Sequence, residues 1–350
     1  MEDLAQETPP EDVFIAPSID TAQILSGESY THHSPIPETM VNDMSTECVL
    51  GVDEAGRGPV IGPMVYALLY LPLSSHRSLL ATTHHFDDSK VLTPQVRSAL
   101  MQKLCTSDTD LYRDCGWATR VMSARDISAG MLKASGTYNL NAQAMDATIE
   151  LIQGVLAQGV NVTEIYIDTI GSPHVYQTKL AKIFPTISIT VAKKADSLYP
   201  CVSAASVCAK VTRDAALEVC YQTYTRRSAT ASSIAAGDET TEEGWGSGYP
   251  SDARCSTWLR RNMNPVFGWG MECRFSWSTA KDMLEPPSSK GGDCVSVDWP
   301  DMDDDEDESM RVTDFFAATE TTSAAGGRDQ AWPPADLARW YGSRVSDEVF

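Results

Sequence analysis

The sequence has no closely paired cysteines, no long apolar run and little positive charge. Its nine cysteines include no Cys-x-x-Cys pair. That spacing is typical of zinc sites, so its absence favours reduced thiols in an intracellular protein. No apolar run is long enough to cross a bilayer, and the first residues show no secretory leader. We therefore expect an intracellular protein that has no membrane association and no structural disulfides.

Lysine and arginine number 27 against 48 aspartates and glutamates, which gives a net charge of −21. Such an excess of acid argues against nucleic-acid binding unless the charge is unevenly distributed. Residues 1–46 carry nine acids and no Lys or Arg, and residues 286–350 carry fifteen acids and five bases. The middle of the chain is therefore close to neutral, at −2, and is compatible with a basic groove.

Composition divides the chain into five parts. Residues 1–46 are rich in Pro, Ser, Thr and acids, which predicts a disordered acidic tail. Residues 226–245 have a similar bias, with Ala and Gly added, and we interpret them as a disordered insertion. Residues 286–350 form a second acidic, mostly disordered tail. The predicted ordered parts are a compact domain at 47–225 and a small helical subdomain at 246–285.

Residues 48–63 hold the densest pattern in the sequence. Apolar residues at 49–52 predict a buried strand, and two acids, Asp53 and Glu54, end it. Neighbours in a strand face opposite sides. The two acids can therefore serve one metal centre only if the backbone turns there or a second ion lies alongside. The flexible Gly56-Arg57-Gly58 segment follows, and its glycines allow close approach of a partner to the backbone. The alternative is a tight turn with solvated charges.

The order of predicted elements indicates an α/β protein. Three strands come first, and strand–helix pairs follow, which favours a mixed five-stranded sheet flanked by helices. Carboxylates stand at or just after the ends of these strands: Asp53, Glu54, Asp168 and Asp196. Side chains at the ends of separate strands can converge, and oxygen-only ligands suit Mg²⁺ or Mn²⁺. Each acid taken singly could instead be a cap or turn residue.

Four side chains are candidates for substrate contact. Lys90 precedes the N-terminus of a predicted helix, where phosphate binds readily, although a surface lysine is the simpler interpretation. Asn139 lies at the start of a predicted helix over 137–157 and could merely cap it. Tyr249 follows flexible glycines and could stack on a sugar, or it could pack in its loop. Arg57 could address phosphate or sugar.

The stretch GVDEAGRGPVIGPMVYA closely resembles the signature of type 2 ribonuclease H, in particular the large catalytic subunit of the eukaryotic heterotrimeric enzyme. The likeness covers residues 46–285. It continues through eight further segments: Asp88-Ser89-Lys90, residues 138–141, Asp168-Thr169, residues 194–200, residues 203–206, residues 246–250, residues 265–268 and residues 274–277.

This resemblance implies a ribonuclease H-like fold and an endonuclease that hydrolyses the RNA strand of RNA–DNA hybrids. It also implies cleavage 5′ of single ribonucleotides embedded in duplex DNA, with 5′-phosphate and 3′-hydroxyl products. The four carboxylates would hold two Mg²⁺ or Mn²⁺ ions. Gly56, Arg57, Gly58, Lys90, Asn139 and Tyr249 would bind substrate. Roles in ribonucleotide excision repair and primer removal, and a nuclear location, come from the resemblance alone.

The resemblance further implies two accessory subunits. Residues 310–316 are a candidate docking segment, since Val312, Phe315 and Phe316 resemble a sliding-clamp motif whose expected glutamine is replaced by Ser309. Alternatively, this segment adds as a strand to one of the accessory subunits.

Three other functions remain open from the residues alone. They are a non-catalytic protein that binds hybrids, a phosphatase with an aspartyl nucleophile, and an integrase of the same fold.

Overall fold

The computed structural model describes residues 14–86, 92–133, 138–168, 172–232, 244–285, 297–298 and 343–344. It divides into two units, Met1–Pro287 and Ser288–Phe350. In the second unit the described residues form one antiparallel pair of short strands, Val297–Asp298 with Ser343–Arg344. The predicted docking segment, with Val312, Phe315 and Phe316, lies outside the described residues.

A mixed sheet forms the centre of the first unit. Its strands are β1 (Tyr30–His33), β2 (Cys48–Ala55), β3 (Met64–Pro72), β4 (Gly116–Met122), β5 (Val162–Asp168) and β6 (Ser188–Ala192). Their spatial order is β1-β4-β3-β2-β5-β6. The first four strands pair antiparallel, whereas β5 is parallel to both β2 and β6. The predicted mixed sheet is confirmed, but it has six strands, not five.

The sixth strand comes from a region where we expected no structure. The prediction of a disordered tail over 1–46 is wrong for residues 14–46. These residues form β1 and the helices α1 (Thr21–Ser26) and α2 (Glu38–Asn42). Tyr30 and Met40 are buried, and the Ser18 hydroxyl lies 2.8 Å from that of Thr212. These contacts are distant in sequence, so no local pattern could reveal them.

In the described part of the chain, eight further α-helices pack around the sheet or follow it. They are α3 (Pro94–Cys105), α4 (Asp110–Asp114), α5 (Ala124–Met131), α6 (Leu140–Ala157), α7 (Pro173–Ile183), α8 (Pro200–Ser232), α9 (Ala253–Arg261) and α10 (Ser278–Leu284). Helices α3 and α8 pack on one face of the sheet, and α6 and α7 pack on the other. No described helix is long and apolar enough to span a membrane.

Helix α8 lies directly against β2. A Cβ atom at Gly51 would overlap the backbone of Cys201, so only glycine fits at this crossing. Ser203, Ala204 and Ala205 in the next turn are fully buried. The small side chains of α8 therefore let it approach the strand that carries Asp53.

Helix α8 is longer than its composition suggests. It continues to Ser232, so the predicted disordered insertion over 226–245 is wrong for residues 226–232. A helix that is already formed propagates at low cost, even through Ser and Thr. Gly244 and Trp245 are also described, and Trp245 is buried. Residues 233–243 lie outside the described residues.

The predicted helical subdomain at 246–285 contains the helices α9 and α10. They enclose a third apolar core that contains Trp245, Trp258 and Trp269. Val60 and Ile61, from the loop between β2 and β3, are buried in the same core. The helical subdomain at 246–285 is therefore packed against the glycine-containing loop that follows Asp53 and Glu54.

Candidate active site

The register of the parallel strands places Asp53 beside Asp168. Val52 pairs with Ile167 on β5, and each acid is the next residue of its strand. Adjacent strands lie about 4.8 Å apart. Asp168 in turn pairs with Ala192, the last residue of β6. Two neighbouring strands, β2 and β5, thus place one carboxylate each at the same end of the sheet, and β6 ends there too.

Asp196 reaches the same end through a short 3₁₀ turn, Ala195–Ser197, after β6. The turn begins at Lys194 in the left-handed conformation, with φ of 58°. The Ala195 N–H then donates to Asp168 Oδ1 over 3.0 Å. This hydrogen bond ties the turn that carries Asp196 to the end of β5.

Asp53 and Glu54 face opposite sides of the sheet, as their positions in β2 require. Asp53 is buried, with 6% of its surface exposed, and it accepts hydrogen bonds from Ser206 of α8 and from the Glu54 N–H. Glu54 lines a cleft of about 530 Å³ between α6 and α7. The backbone does not turn at the pair, so the two acids approach the end of the sheet from different faces.

Burial makes these two acids weak. It raises the pKa of Asp53 to about 7, and the charges of Asp168 and Asp196 add to the effect. Burial and the Asp53 charge raise the pKa of Glu54 to about 8, although Arg57 opposes the rise. Burial and mutual repulsion thus oppose ionisation of both acids, and a bound divalent cation would favour their charged forms.

The donor set fits Mg²⁺ or Mn²⁺, since all four candidate ligands are carboxylates. As the side chains stand, no three His, Cys, Asp or Glu residues in the described part of the chain come close enough together to hold one ion. The charges of Asp168 and Asp196 act on both Asp53 and Glu54, but the convergence of the four acids on metal remains a prediction.

Arg274 holds the backbone of the glycine loop (residues 56–62) that follows Glu54. This arginine is fully buried and lies in the segment before α10. Its guanidinium donates to the carbonyl oxygens of Gly56 (2.6 Å), Arg57 (3.0 Å) and Gly62 (3.0 Å). Trp277 stacks on the guanidinium at 4.7 Å and donates from Nε1 to the Gly58 carbonyl over 3.0 Å.

These contacts orient the peptide units of the loop. In a trans peptide the C=O and the following N–H point in opposite directions. Because the carbonyls of Gly56 and Arg57 face Arg274, the N–H groups of Arg57 and Gly58 are directed away from it. The loop therefore presents backbone donors on its other side.

Tyr249 contacts this loop. A Cβ atom at Gly58 would lie 3.0 Å from Tyr249 Cε1, and 39% of the tyrosine is exposed. The Gly248 carbonyl accepts hydrogen bonds from the N–H groups of Val60 and Ile61. The glycine loop and the tyrosine loop, nearly 200 residues apart in sequence, are thus joined by backbone hydrogen bonds.

Arg213 of α8 contacts both of these loops. Its side chain is buried between Gly56 and Gly248, where a Cβ atom at either glycine would approach it. Its Nη2 donates to the Ser247 carbonyl over 2.7 Å. The long helix therefore positions both loops at once.

The remaining predicted substrate residues differ in their surroundings. The Arg57 guanidinium donates to the Tyr66 hydroxyl over 3.3 Å and to Asn141 Oδ1. Asn139 caps α6 and accepts from the N–H groups of Asn141 and Ala142, and it also lines the cleft. Lys90 lies outside the described residues.

The structure thus brings the four acids to one end of the sheet and places Gly56, Arg57, Gly58 and Tyr249 beside one another. Sequence reasoning did not single out Arg213, Arg274, Trp277 or Asn141. Arg274 and Trp277 lie in the Arg-Phe-Ser-Trp segment and Asn141 in the Tyr-Asn-Leu-Asn segment that carried the resemblance. These two motifs marked the residues as members of the family pattern, but they did not show which groups the side chains contact.

Comparison with known proteins agrees with this geometry. Residues 50–280 match the family model described as Ribonuclease HII. The chain is 55% identical over 353 residues to a ribonuclease H2 subunit of Neurospora crassa, and the match covers all of both chains. It is 42% identical over 284 residues to the corresponding ribonuclease H2 subunit of Homo sapiens, with 81% of this chain and 85% of the human chain covered.

Among solved structures, the ribonuclease H2 of Pyrococcus horikoshii OT3 matches with a TM-score of 0.52 and 26% sequence identity. The match covers 68% of this chain and 97% of the archaeal one. Sequence, fold and the position of the acids agree: the chain belongs to the ribonuclease HII family and is a ribonuclease H, a hydrolase of the RNA strand in RNA–DNA hybrids.

Proposed function

We propose that this ribonuclease H also cuts 5′ of single ribonucleotides embedded in duplex DNA, with two divalent ions at its four carboxylates. The observation that carries the proposal is the contact between Gly58 and Tyr249. It places backbone donors and an exposed aromatic side chain beside the carboxylate end of the sheet. An enzyme that recognises one ribonucleotide must sense its 2′-hydroxyl locally, because the neighbouring nucleotides are DNA.

The two elements supply complementary contacts. The N–H groups of Arg57 and Gly58 face away from Arg274 and can donate to a sugar hydroxyl or a phosphate. The Tyr249 ring can stack on the adjoining deoxyribose, where a 2′-hydroxyl would crowd it. A junction with ribose on one side and deoxyribose on the other satisfies both contacts, which explains how a single ribonucleotide would suffice.

The four acids are the proposed ligands: Asp53, Glu54, Asp168 and Asp196. Because Asp53 and Glu54 lie on opposite faces of β2, two ions fit their placement better than one. When bound, such ions would activate water and stabilise the leaving 3′-oxygen in an in-line displacement, giving 5′-phosphate and 3′-hydroxyl ends. Ser206 orients the Asp53 carboxylate, and the 3.0 Å bond from the Ala195 N–H orients Asp168.

We further propose that the chain works in the nucleus as the catalytic member of a heteromeric enzyme. The similar proteins of Neurospora crassa and Homo sapiens are both named as subunits of ribonuclease H2. Residues 286–350 would dock the accessory subunits, and Val312, Phe315 and Phe316 would contact one of them or a sliding clamp. A chain that ends at Glu285 should fail to co-purify with those subunits, and unchanged recovery would refute the role of the tail.

The decisive experiment compares two substrates in Mg²⁺ or Mn²⁺, with the full chain alone and with its accessory subunits. One substrate is duplex DNA with a single ribonucleotide, and the other is a long RNA–DNA hybrid. Tyr249→Ala should lose cleavage of the first far more than of the second. Tyr249→Phe, which keeps the ring, serves as the control and should retain most of the selectivity. Equal losses on the two substrates in Tyr249→Ala would rule out recognition of the junction.

A further inference from the structure

We propose that the cleft between α6 and α7 is a second binding site for the substrate backbone, in which Lys179 contacts a phosphodiester away from the scissile bond. The inference deepens the proposed function and rests on its site. The cleft has a volume of about 530 Å³, within the range of ligand sites, and two of the proposed metal ligands, Glu54 and Asp168, are among the residues that line it. It is therefore continuous with the reaction centre.

Two cations stand among the residues that line this cleft. Arg57 comes from the glycine loop, and Lys179 lies on α7, two turns into the helix. The Arg57 guanidinium is anchored by the Tyr66 hydroxyl and Asn141 Oδ1. Lys179 is exposed, and its flexible stem leaves the ammonium free to follow a ligand. One fixed and one adaptable cation suit a phosphate group that enters between them.

The N-termini of α6 and α7 add to the positive electrostatic potential of the cleft. Asn139 and Asn141 begin α6, and Ser172 precedes α7, and all three residues line the cleft. Helix N-termini carry partial positive charge. The acids of the lining are Glu54, Asp146 and Asp168. Glu54 and Asp168 are proposed to hold divalent ions, so their charge would be offset in the loaded enzyme.

A nucleic-acid strand explains the position of the cleft better than a free small anion. The cleft is lined both by two of the carboxylates, Glu54 and Asp168, and by residues of α6 and α7. A strand whose scissile phosphate lies at the carboxylates must place its neighbouring phosphates along the adjoining surface. Lys179 would then neutralise one of these phosphates and help to fix the register of the strand.

Lys182 provides a matched control. It lies in the last turn of the same helix and is exposed, but it does not line the cleft. Lys179→Ala should raise the KM for a long RNA–DNA hybrid about fivefold, the size expected of an exposed ion pair, with kcat unchanged. The slope of log affinity against log salt should fall by about 1. Lys182→Ala should change neither quantity.

The phosphate is located with substrates that carry one neutral methylphosphonate at successive positions. At one position the modification should reproduce the effect of Lys179→Ala, and the two changes together should cost no more than either alone. Additive losses at every position, or equal behaviour of Lys179→Ala and Lys182→Ala, would overturn the inference. Because hybrid cleavage is the readout, failure on single-ribonucleotide substrates would refute only the proposed junction activity.

Discussion

Arg274 Nη2 donates a 2.6 Å hydrogen bond to the carbonyl oxygen of Gly56, across 218 residues of sequence. The same guanidinium also donates to the carbonyl oxygens of Arg57 and Gly62, so one buried side chain holds three carbonyl groups of the glycine loop. Burial lowers the pKa of Arg274 to about 9, and the nearby Arg213 charge adds to the shift. The side chain thus remains charged near neutral pH while its hydrogen bonds go to carbonyl groups.

We therefore expect Arg274→Lys to damage substrate selection. Lysine keeps the charge but cannot serve three diverging acceptors in one plane. The ratio of kcat/KM for single-ribonucleotide duplexes to that for hybrids should fall about tenfold, which is roughly 1.4 kcal/mol of selectivity. The ratio is the useful measurement because it does not depend on the folded fraction of the enzyme.

Arg254→Lys is the control, since Arg254 is exposed and its contacts are to the neighbouring Asp252. It should leave the ratio unchanged. If Arg274→Lys lowered cleavage of both substrates by the same factor, Arg274 would support the fold without influencing selection.

The buried acids predict a pH-dependent stability in the metal-free protein. The pKa of Asp53 is raised to about 7 in the folded state, above its ordinary value of 3.8. Between these two values the folded state binds a proton that the unfolded state releases, so the free energy of unfolding falls as pH rises. The stabilisation is complete below about pH 4 and is lost as pH passes through about 7.

Asp53→Asn should remove this dependence along with activity. Without metal at pH 8, we expect its Tm to exceed that of the parent by about 3 °C, or roughly 1 kcal/mol for a domain of this size. Added Mg²⁺ should raise the Tm of the parent and not that of the variant. Calorimetry from pH 5 to 8 measures both effects, with the surface change Asp282→Asn as control. Retained turnover by Asp53→Asn in Mg²⁺ would contradict the assignment of Asp53 as a ligand.

Asn139 has two roles that substitutions can separate. Its side chain accepts from the N–H groups of Asn141 and Ala142 at the start of α6. Asn139→Ala should lower the free energy of unfolding by about 1 kcal/mol through loss of the cap. Asn139→Asp keeps the cap, but its negative charge would repel a phosphate.

Thermal unfolding and KM should therefore respond differently to the two changes. Asn139→Asp should retain the parent Tm and raise KM severalfold, whereas Asn139→Ala should lower Tm. If Asn139→Asp bound substrate as well as the parent does, Asn139 would be only a helix cap.

Gly51 tests how closely α8 must approach β2. In Gly51→Ala the new methyl group would overlap the Cys201 backbone, which cannot move without displacing the helix. We expect a loss of about 3 kcal/mol in the free energy of unfolding. Gly154→Ala is the contrast: the atoms nearest to its new methyl group would belong to the His33 side chain, with Cε1 at 2.5 Å, and alanine favours the helix. Urea unfolding should show a much smaller change there. Similar losses in both variants would contradict the rigid packing of α8.

Local sequence patterns were enough to predict several strands, a helix start and acidic residues of the catalytic domain. The apolar runs predicted β2 and β3, whose residues are almost all buried, because strands buried on both faces need continuous apolar residues. Asn139 marked the start of α6, because capping requires only neighbouring residues. Asp53, Glu54 and Asp168 were recognisable because buried strands rarely end in acids.

Tertiary structure decided what depends on partners far away in the chain. Strand β1 is held by pairing with the edge strand β4, which is about 85 residues away in sequence. The composition of residues 14–46 therefore gave no sign of a strand. The glycine loop is flexible in isolation and acquires one shape from Arg274, whose role its own neighbours do not reveal. The placement of Tyr249 against Gly58 follows from hydrogen bonds between two loops. Local propensity acts over a few residues, whereas these contacts exist only after the sheet and α8 have brought the segments together.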